Sequence, residues 1–260
     1  MSLYRQLQAR HQNENPLKVG VIGAGKFGTM FLAQVNQLPG VHVVGIADLS
    51  PDRAKSNLAF AHWPENQYAA TSLETANADG TTYVTDDVGA LTSFGPIDLI
   101  VEATGDPVVA TRHLLMAFAN GKHTVSATVE ADALCGAAIA KHAQSAGVIH
   151  SLAFGDQPAL VCDLVDWARS CGFYVAAAGR GHKWKPEYRY STPENVWEKY
   201  GLTPEQAERG RMNPKMFNSF LDGTKPAIES SAIANSCGLD VPTNGLPYPP
   251  GSIDDLPNLM

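Results

Sequence analysis

KVGVIGAGKFG, running from Lys18 to Gly28, decides the fold of this chain. Apolar residues lead into Gly23-Ala24-Gly25-Lys26-Phe27-Gly28, and a helical pattern follows at once. Strand, glycine turn and helix in that order form a dinucleotide-binding fingerprint. Gly23 permits the tight turn, Gly25 lets the backbone approach a pyrophosphate, and Gly28 lets the helix pack closely on the strand. The first N–H groups of the helix and its dipole then face the phosphate charge. An acidic residue, Asp48, ends the next apolar stretch. A carboxylate there accepts the ribose hydroxyls of NAD and repels a 2′-phosphate. Ser50 and Arg53 lie close behind and could hold that phosphate, so NADP and NAD both stay open.

Composition narrows the class. Of 260 residues 44% are hydrophobic, enough for a sizeable core or for a nucleotide domain with a smaller partner. The net charge of −7 argues against nucleic acid or an anionic membrane as partner. An anionic substrate would need a local cationic pocket. Cys135, Cys162, Cys171 and Cys237 form no CxxC pair and no zinc spacing, and read as small core residues in a reducing compartment. No signal-peptide run or membrane-length apolar segment is visible, so a cytoplasmic protein is expected.

Outward from the glycine turn, strands and helices alternate. Residues 1–15 form a lead-in with a short helix. Strands are expected at 18–22, 41–47, 83–85, 97–101, 123–127 and 148–153, with helices at about 26–37, from Ser50 through about 61, around Leu114–Phe118 and at about 132–146, and a loop with short helix at 62–80. This alternation predicts an α/β fold, a doubly wound parallel sheet over residues 16–154. Ligands on such sheets sit at the carboxyl ends of the strands. That rule selects the glycine turn, Asp48, Ala103-Thr104-Gly105, Thr128 with Glu130, and Phe154–Gln157.

After residue 154 the pattern changes. Gly155-Asp156-Gln157-Pro158 opens an amphipathic helix, a strand is expected at 173–178, and helical pieces follow near 193–200, 204–210, 214–221 and 226–236. Residues 155–240 are read as a second, smaller substrate region. The tail 241–260 carries five prolines between Pro242 and Pro257, which excludes regular helix or sheet, and it points to a chain that continues beyond this sequence.

Hydride chemistry needs an acid or base near a carbonyl and groups that hold the substrate. Arg180-Gly181-His182-Lys183-Trp184-Lys185 supplies both. Arg180 and Lys183 could bind a phosphate or carboxylate, and Lys183 or His182 could donate a proton. The plainer reading is a solvated basic turn. Asp156 and Gln157 stand at a helix start suited equally to capping or to anion binding. Lys215, Asn218 and Ser219 lie among large apolar residues and form either a pocket wall or ordinary helix packing. Glu130 and Asp132, with Asp156 and Glu229, give the weak case for Mg²⁺ or Mn²⁺.

GAGKFG, TVEADALCG, SLAFGDQPALVCDLVDWAR, AAGRGHKW, GLTPEQAERG, NPKMFNSFLDGTKPAIES and GLDVPTNGLPYPP together resemble the homoserine-dehydrogenase-like oxidoreductases. More narrowly they are similar to the reductoisomerase-like branch, DXR-like or DRL, some of whose members act on 1-deoxy-D-xylulose 5-phosphate. The resemblance implies NADPH-dependent rearrangement and reduction of a phosphorylated ketose to 2-C-methyl-D-erythritol 4-phosphate, a step toward isoprenoids. It implies AAGRGHKW and NPKMFNS as substrate walls and a C-terminal SAF-type domain that this sequence lacks; a homo-oligomer is expected besides. The chain departs from related patterns in having no DSEH-type acidic motif, no Glu-Lys-Pro signature and no lysine at that strand end. A dehydrogenase of another hydroxy acid, semialdehyde or sugar phosphate is the second reading, and a nucleotide sensor without turnover the third.

Overall fold

In the computed structural model, which describes residues 2–259, the chain divides into two compact units. Unit 1 comprises residues up to 131 and 138–153; unit 2 comprises 132–137 and 154 onward.

Unit 1 opens with α1 (Leu3–Gln12), then β1 (Leu17–Ile22), α2 (Lys26–Val35), β2 (Val41–Ala47) and α3 (Pro51–Phe60). A 3-10 turn, Glu65–Tyr68, leads to α4 (Leu73–Asp79), β3 (Tyr83–Thr85), α5 (Val88–Ser93) and β4 (Leu99–Glu102). The unit continues with α6 (Pro107–Ala119), β5 (His123–Ser126), α7 (Val129–Ala146) and β6 (His150–Leu152). Cys135, with φ −149°, interrupts the helical backbone of α7. Among the described residues the strands form one six-stranded sheet in the order β3-β2-β1-β4-β5-β6, every pair parallel. This is the doubly wound order, and the strand sequence reverses direction between β1 and β4. Ligands bind in the crevice at that reversal.

The sheet is buried on both faces, which is why its strands read as near-continuous apolar runs. Val19, Val21, Val43 and Val101 pack with Leu32 and Val35 of α2 and Ala54 and Leu58 of α3. Ile22, Val44 and Ile100 pack on the other face with Leu73 and Ala76 of α4, Leu91 of α5 and Ala117 of α6. Helix starts follow the sequence chemistry. Ser50 and Asp106 cap α3 and α6 through their side chains, each with proline in the first turn.

Unit 2 is helical. It holds α8 (Gln157–Ser170), a 3-10 turn at Pro186–Tyr190, α9 (Val196–Tyr200), α10 (Pro204–Arg209), α11 (Pro214–Leu221) and α12 (Thr224–Cys237). A 3-10 turn, Ile253–Asp255, and α13 (Leu256–Leu259) end the described chain. The strand expected at 173–178 is absent. An apolar run does not make a strand without a ladder partner, and no described strand pairs with this segment. Its backbone begins instead with Phe173 N–H closing onto the Ala168 carbonyl at 2.9 Å, behind Gly172 at φ +83°. The tail also departs from expectation. Its last prolines leave room for the short turns at 253–259, opened by Ser252 and Asp255 capping each other. No helix among the described residues is long and apolar enough to cross a membrane.

Candidate active site

The three glycines of the turn meet three different surroundings. A Cβ on Gly23, which sits at φ +94°, would lie 2.8 Å from the Ala103 carbonyl group. One on Gly28 would fall 2.1 Å from the Gly23 carbonyl oxygen, so the close approach of α2 to β1 admits no side chain. A Cβ on Gly25 would meet nothing within 4 Å. Gly25 is also the N-cap residue of α2 and brings no side-chain cap to the helix start. Those surroundings fit a dinucleotide pyrophosphate at Gly25. Lys26 and Phe27 continue the rim, and the Phe27 ring is exposed.

Asp48 is placed at the end of β2, but its carboxylate faces inward. It accepts hydrogen bonds from Ala24 N–H (2.9 Å), Ser50 N–H (3.0 Å) and the Arg53 guanidinium (2.7 Å). Burial alone would push this carboxyl up. The Ser50 and Ala24 amides and Arg53 outweigh it and hold the group below the usual carboxylate range. Asp48 therefore anchors the glycine turn from behind. Its side chain is 4% exposed, whereas that of Arg53 is 60% exposed, so the guanidinium rather than the carboxylate meets solvent. Asn57 supports the same turn by donating to the Ala24 carbonyl at 2.8 Å.

Across the strand reversal, a buried carboxylate organises the next two loops. Glu102, at the carboxyl end of β4, is fully buried. It accepts from Thr104 Oγ1 at 2.6 Å and from Thr128 Oγ1, and His113 Nδ1 lies 3.3 Å away. Thr128 in turn accepts from the Gly105 amide at 2.9 Å. Thr104, Gly105 and Thr128 are thus joined through one acid, while Ala103 donates its N–H to the Ile22 carbonyl at 2.8 Å and Glu130 follows in the first turn of α7. Glu102 and His113 do not figure among the sequence-derived candidates. The available signal was a lone acid at the end of the apolar run Ile97–Val101, which has to find partners when buried.

In unit 2 the basic turn is built around an ion pair. Arg180 Nε lies 2.5 Å from Glu229 Oε2 of α12, and Glu229 is buried. Burial raises the Glu229 carboxyl despite the opposing effect of Arg180 and Lys225. Arg180 Nη1 also lies 3.3 Å from His182 Nδ1. Burial, then the Arg180 charge, lower the His182 pKa, with the Phe220 carbonyl opposing them. His182 is therefore neutral at pH 7. Lys183 and Lys215 are exposed.

Trp184 stacks on Tyr248 of the proline-rich tail, with ring centroids 4.9 Å apart and an interplanar angle of 19°. The Tyr248 hydroxyl reaches the Gly223 carbonyl at 3.4 Å. Sequence reading missed Tyr248, although it is the single aromatic residue in the tail's run of prolines.

The remaining candidates divide. Asn218 is buried, donates to Asp222 Oδ2 at 3.0 Å, and leaves its own Oδ1 without a partner. Ser219 bonds back to the Met216 carbonyl. Asp156 caps α8 by accepting from the Gln157 amide at 3.0 Å. For a metal the fit is poor: Glu229 is committed to Arg180, and no three His, Cys, Asp or Glu side chains among the described residues come together as ligands.

Comparison with known proteins now places the chain. Residues 20–152, more than half of it, match the family model described as the NAD binding domain of homoserine dehydrogenase. Residues 155–260 match the catalytic domain of oxidoreductase DRL. The chain belongs to the homoserine-dehydrogenase-like oxidoreductases, with a second unit of the DRL kind.

Among solved structures it is similar to 1-deoxy-D-xylulose 5-phosphate reductoisomerase from Zymomonas mobilis in complex with NADPH. Identity there is 16%, with 86% of this chain and 59% of that one covered and a TM-score of 0.55. A homoserine dehydrogenase from Thiobacillus denitrificans is 21% identical over 60% of this chain and 34% of that one, TM-score 0.44. An NAD binding oxidoreductase from Klebsiella pneumoniae is 18% identical over 60% and 39%, TM-score 0.40. The chain thus spans between about a third and three-fifths of the length of these structures. No curated protein sequence matches it.

Proposed function

We propose that this protein is an NADPH-dependent oxidoreductase that takes a small phosphorylated ketose, 1-deoxy-D-xylulose 5-phosphate in the first instance, to 2-C-methyl-D-erythritol 4-phosphate. The observation that carries the redox part is the open position of Gly25 at the reversal of a doubly wound sheet. NADP is favoured over NAD because Asp48 is spent on the glycine turn while the Arg53 guanidinium beside it meets solvent. A 2′-phosphate would find a cation there, with the Ser50 hydroxyl two residues after Asp48.

When bound, the dinucleotide supplies the hydride. The chain's own residues supply the rest. Lys183 is the free cation of the basic turn, suited to the substrate phosphate or to protonating a carbonyl oxygen as it becomes a hydroxyl. Neutral His182 is suited to removing a hydroxyl proton when a ketose carbon–carbon bond is opened. Arg180, fixed by Glu229, lends positive charge to the turn, and Asn218 with Lys215 lines the same unit. No step is routed through Mg²⁺ or Mn²⁺. The ketose assignment is supported by the DRL-type second unit and by the motifs quoted above.

The test is oxidation of NADPH in the presence of 1-deoxy-D-xylulose 5-phosphate. Wild-type protein should turn over, and Lys183→Ala should lose turnover by a factor of 100 or so (about 2.7 kcal/mol) with cofactor affinity unchanged. Failure with this ketose but turnover of another sugar phosphate, semialdehyde or hydroxy acid would replace the substrate and keep the class. Unchanged turnover in Lys183→Ala would remove the basic turn from the mechanism.

A further inference from the structure

Two cysteines that the mechanism does not use face each other within unit 2. Cys162, in the middle of α8, and Cys237, the last residue of α12, stand 75 positions apart in sequence with their sulfurs 3.5 Å from one another. Both are free thiols and both are half-buried. The helices that carry them are packed side by side, and Arg169 of α8 donates to the Cys237 carbonyl at 2.8 Å, tying the two helix ends together. Gly238 follows at φ 62° as the left-handed cap, so the backbone turns immediately after the second cysteine. A disulfide needs a sulfur–sulfur distance near 2.05 Å. The present gap is about 1.5 Å longer than that bond. No third ligating side chain joins the pair among the described residues, which sets it apart from a metal site.

We propose that Cys162 and Cys237 are a dithiol site at which a small disulfide oxidant installs a reversible intramolecular disulfide. The electron balance is complete. The Cys237 thiolate attacks glutathione disulfide, forming a mixed disulfide and releasing one glutathione thiolate. The Cys162 sulfur, giving up its proton, then attacks the Cys237 sulfur and releases the second. Two cysteines are oxidised and one glutathione disulfide is reduced to two thiols. Burial, with Cys237 and Asp163 beside it, pushes the Cys162 thiol up to about 12, so Cys162 forms thiolate less readily and enters second, where the adjacent mixed disulfide on Cys237 offsets its small thiolate fraction.

The closed loop would contain Arg180, His182, Lys183, Lys215, Asn218, Ser219 and Glu229, and would leave Asp156, Gln157 and Tyr248 outside it. Oxidation would therefore fasten the frame of the basic turn, and the site stands whether or not the ketose reading holds.

The experiment incubates the folded chain with glutathione disulfide and maps the products by mass spectrometry. The expected result is loss of two hydrogens per chain, a linked peptide pair carrying Cys162 and Cys237, and full reversal by dithiothreitol. The melting temperature should rise by on the order of 10 °C. Cys162→Ser should instead retain glutathione on Cys237, and Cys171→Ser should behave as wild type. The mapping on unaltered protein holds even if a variant folds poorly. A bond that involves Cys171 or Cys135, that joins two chains, or that forms only in denaturant would overturn the proposal, as would unlinked Cys162 and Cys237 in the folded protein.

Discussion

At the residue scale, Asp48 and Arg53 are bonded to each other but differ in what they face, and the proposed function gives Arg53 the 2′-phosphate. The aspartate holds the Ala24 amide, and so the shape of the glycine turn, while the arginine stays half in solvent. Arg53→Ala should therefore weaken NADPH by roughly 10-fold, the scale of one charge-assisted hydrogen bond, and leave NADH within about 2-fold, read by calorimetric titration of both. Equal losses for the two nucleotides would assign Arg53 to the turn alone.

Two histidines carry a pH prediction. Burial lowers the pKa of His42, whose Nε2 lies 2.7 Å from the Thr81 carbonyl, and it lowers that of His182. Each ring binds its proton less readily folded than unfolded. Their contribution is therefore complete above the unfolded value near 6.5 and is lost as the pH falls through the lower folded values. Melting temperature should decline below about pH 6.5, and His42→Gln should make the decline shallower in a series from pH 8 to 5.

At the element scale, chain ends and loop crossings do the positioning. Lys122, just before β5, is buried and its ammonium donates to the Gly95 and Ile97 carbonyls at 2.9 and 2.7 Å. Those bonds fix the approach to β4, whose far end carries Glu102. Lys122→Met keeps the apolar stem and strands two carbonyls. It should cost about 2 kcal/mol in urea unfolding, and a cost below about 0.5 kcal/mol would show that water replaces the ammonium.

Legibility followed the same division. Strands β2 and β3 were readable to the residue because apolar runs bounded by Asp48 and by polar turns leave no other register. The segment 173–178 was misread because its continuous apolar run fits a strand, while no neighbouring strand supplies the ladder that defines one. α5, only six residues long, has too few turns to show a period. The Arg180–Glu229 pair and the stack of Trp184 on Tyr248 join residues 49 and 64 positions apart, and no local pattern announces them.

For the whole molecule, the sheet order makes the fold a consequence of one crossover, from β3 past β1 to β4, which leaves a crevice where Gly23 meets Ala103. That crevice was legible from the fingerprint; the way its walls are held was not, because Asp48 reaches the Ala24 amide and Glu102 reaches Thr128 only after the strands align. Unit 2 is of a different kind, helical and carrying the basic turn, and it matches the catalytic domain of oxidoreductase DRL.

The claim on which all else depends is that the space beside Gly25 belongs to a dinucleotide. Titrating NADPH calorimetrically into wild-type protein and into Gly25→Ala tests it most directly. A methyl group there meets no protein atom within 4 Å, and Gly25 already has φ −70°, so the variant should melt within about 2 °C of wild type. The account predicts one NADPH per wild-type chain and at least a 10-fold weaker affinity in the variant. Equal affinity in the two proteins, or no binding to a folded wild type, would contradict it.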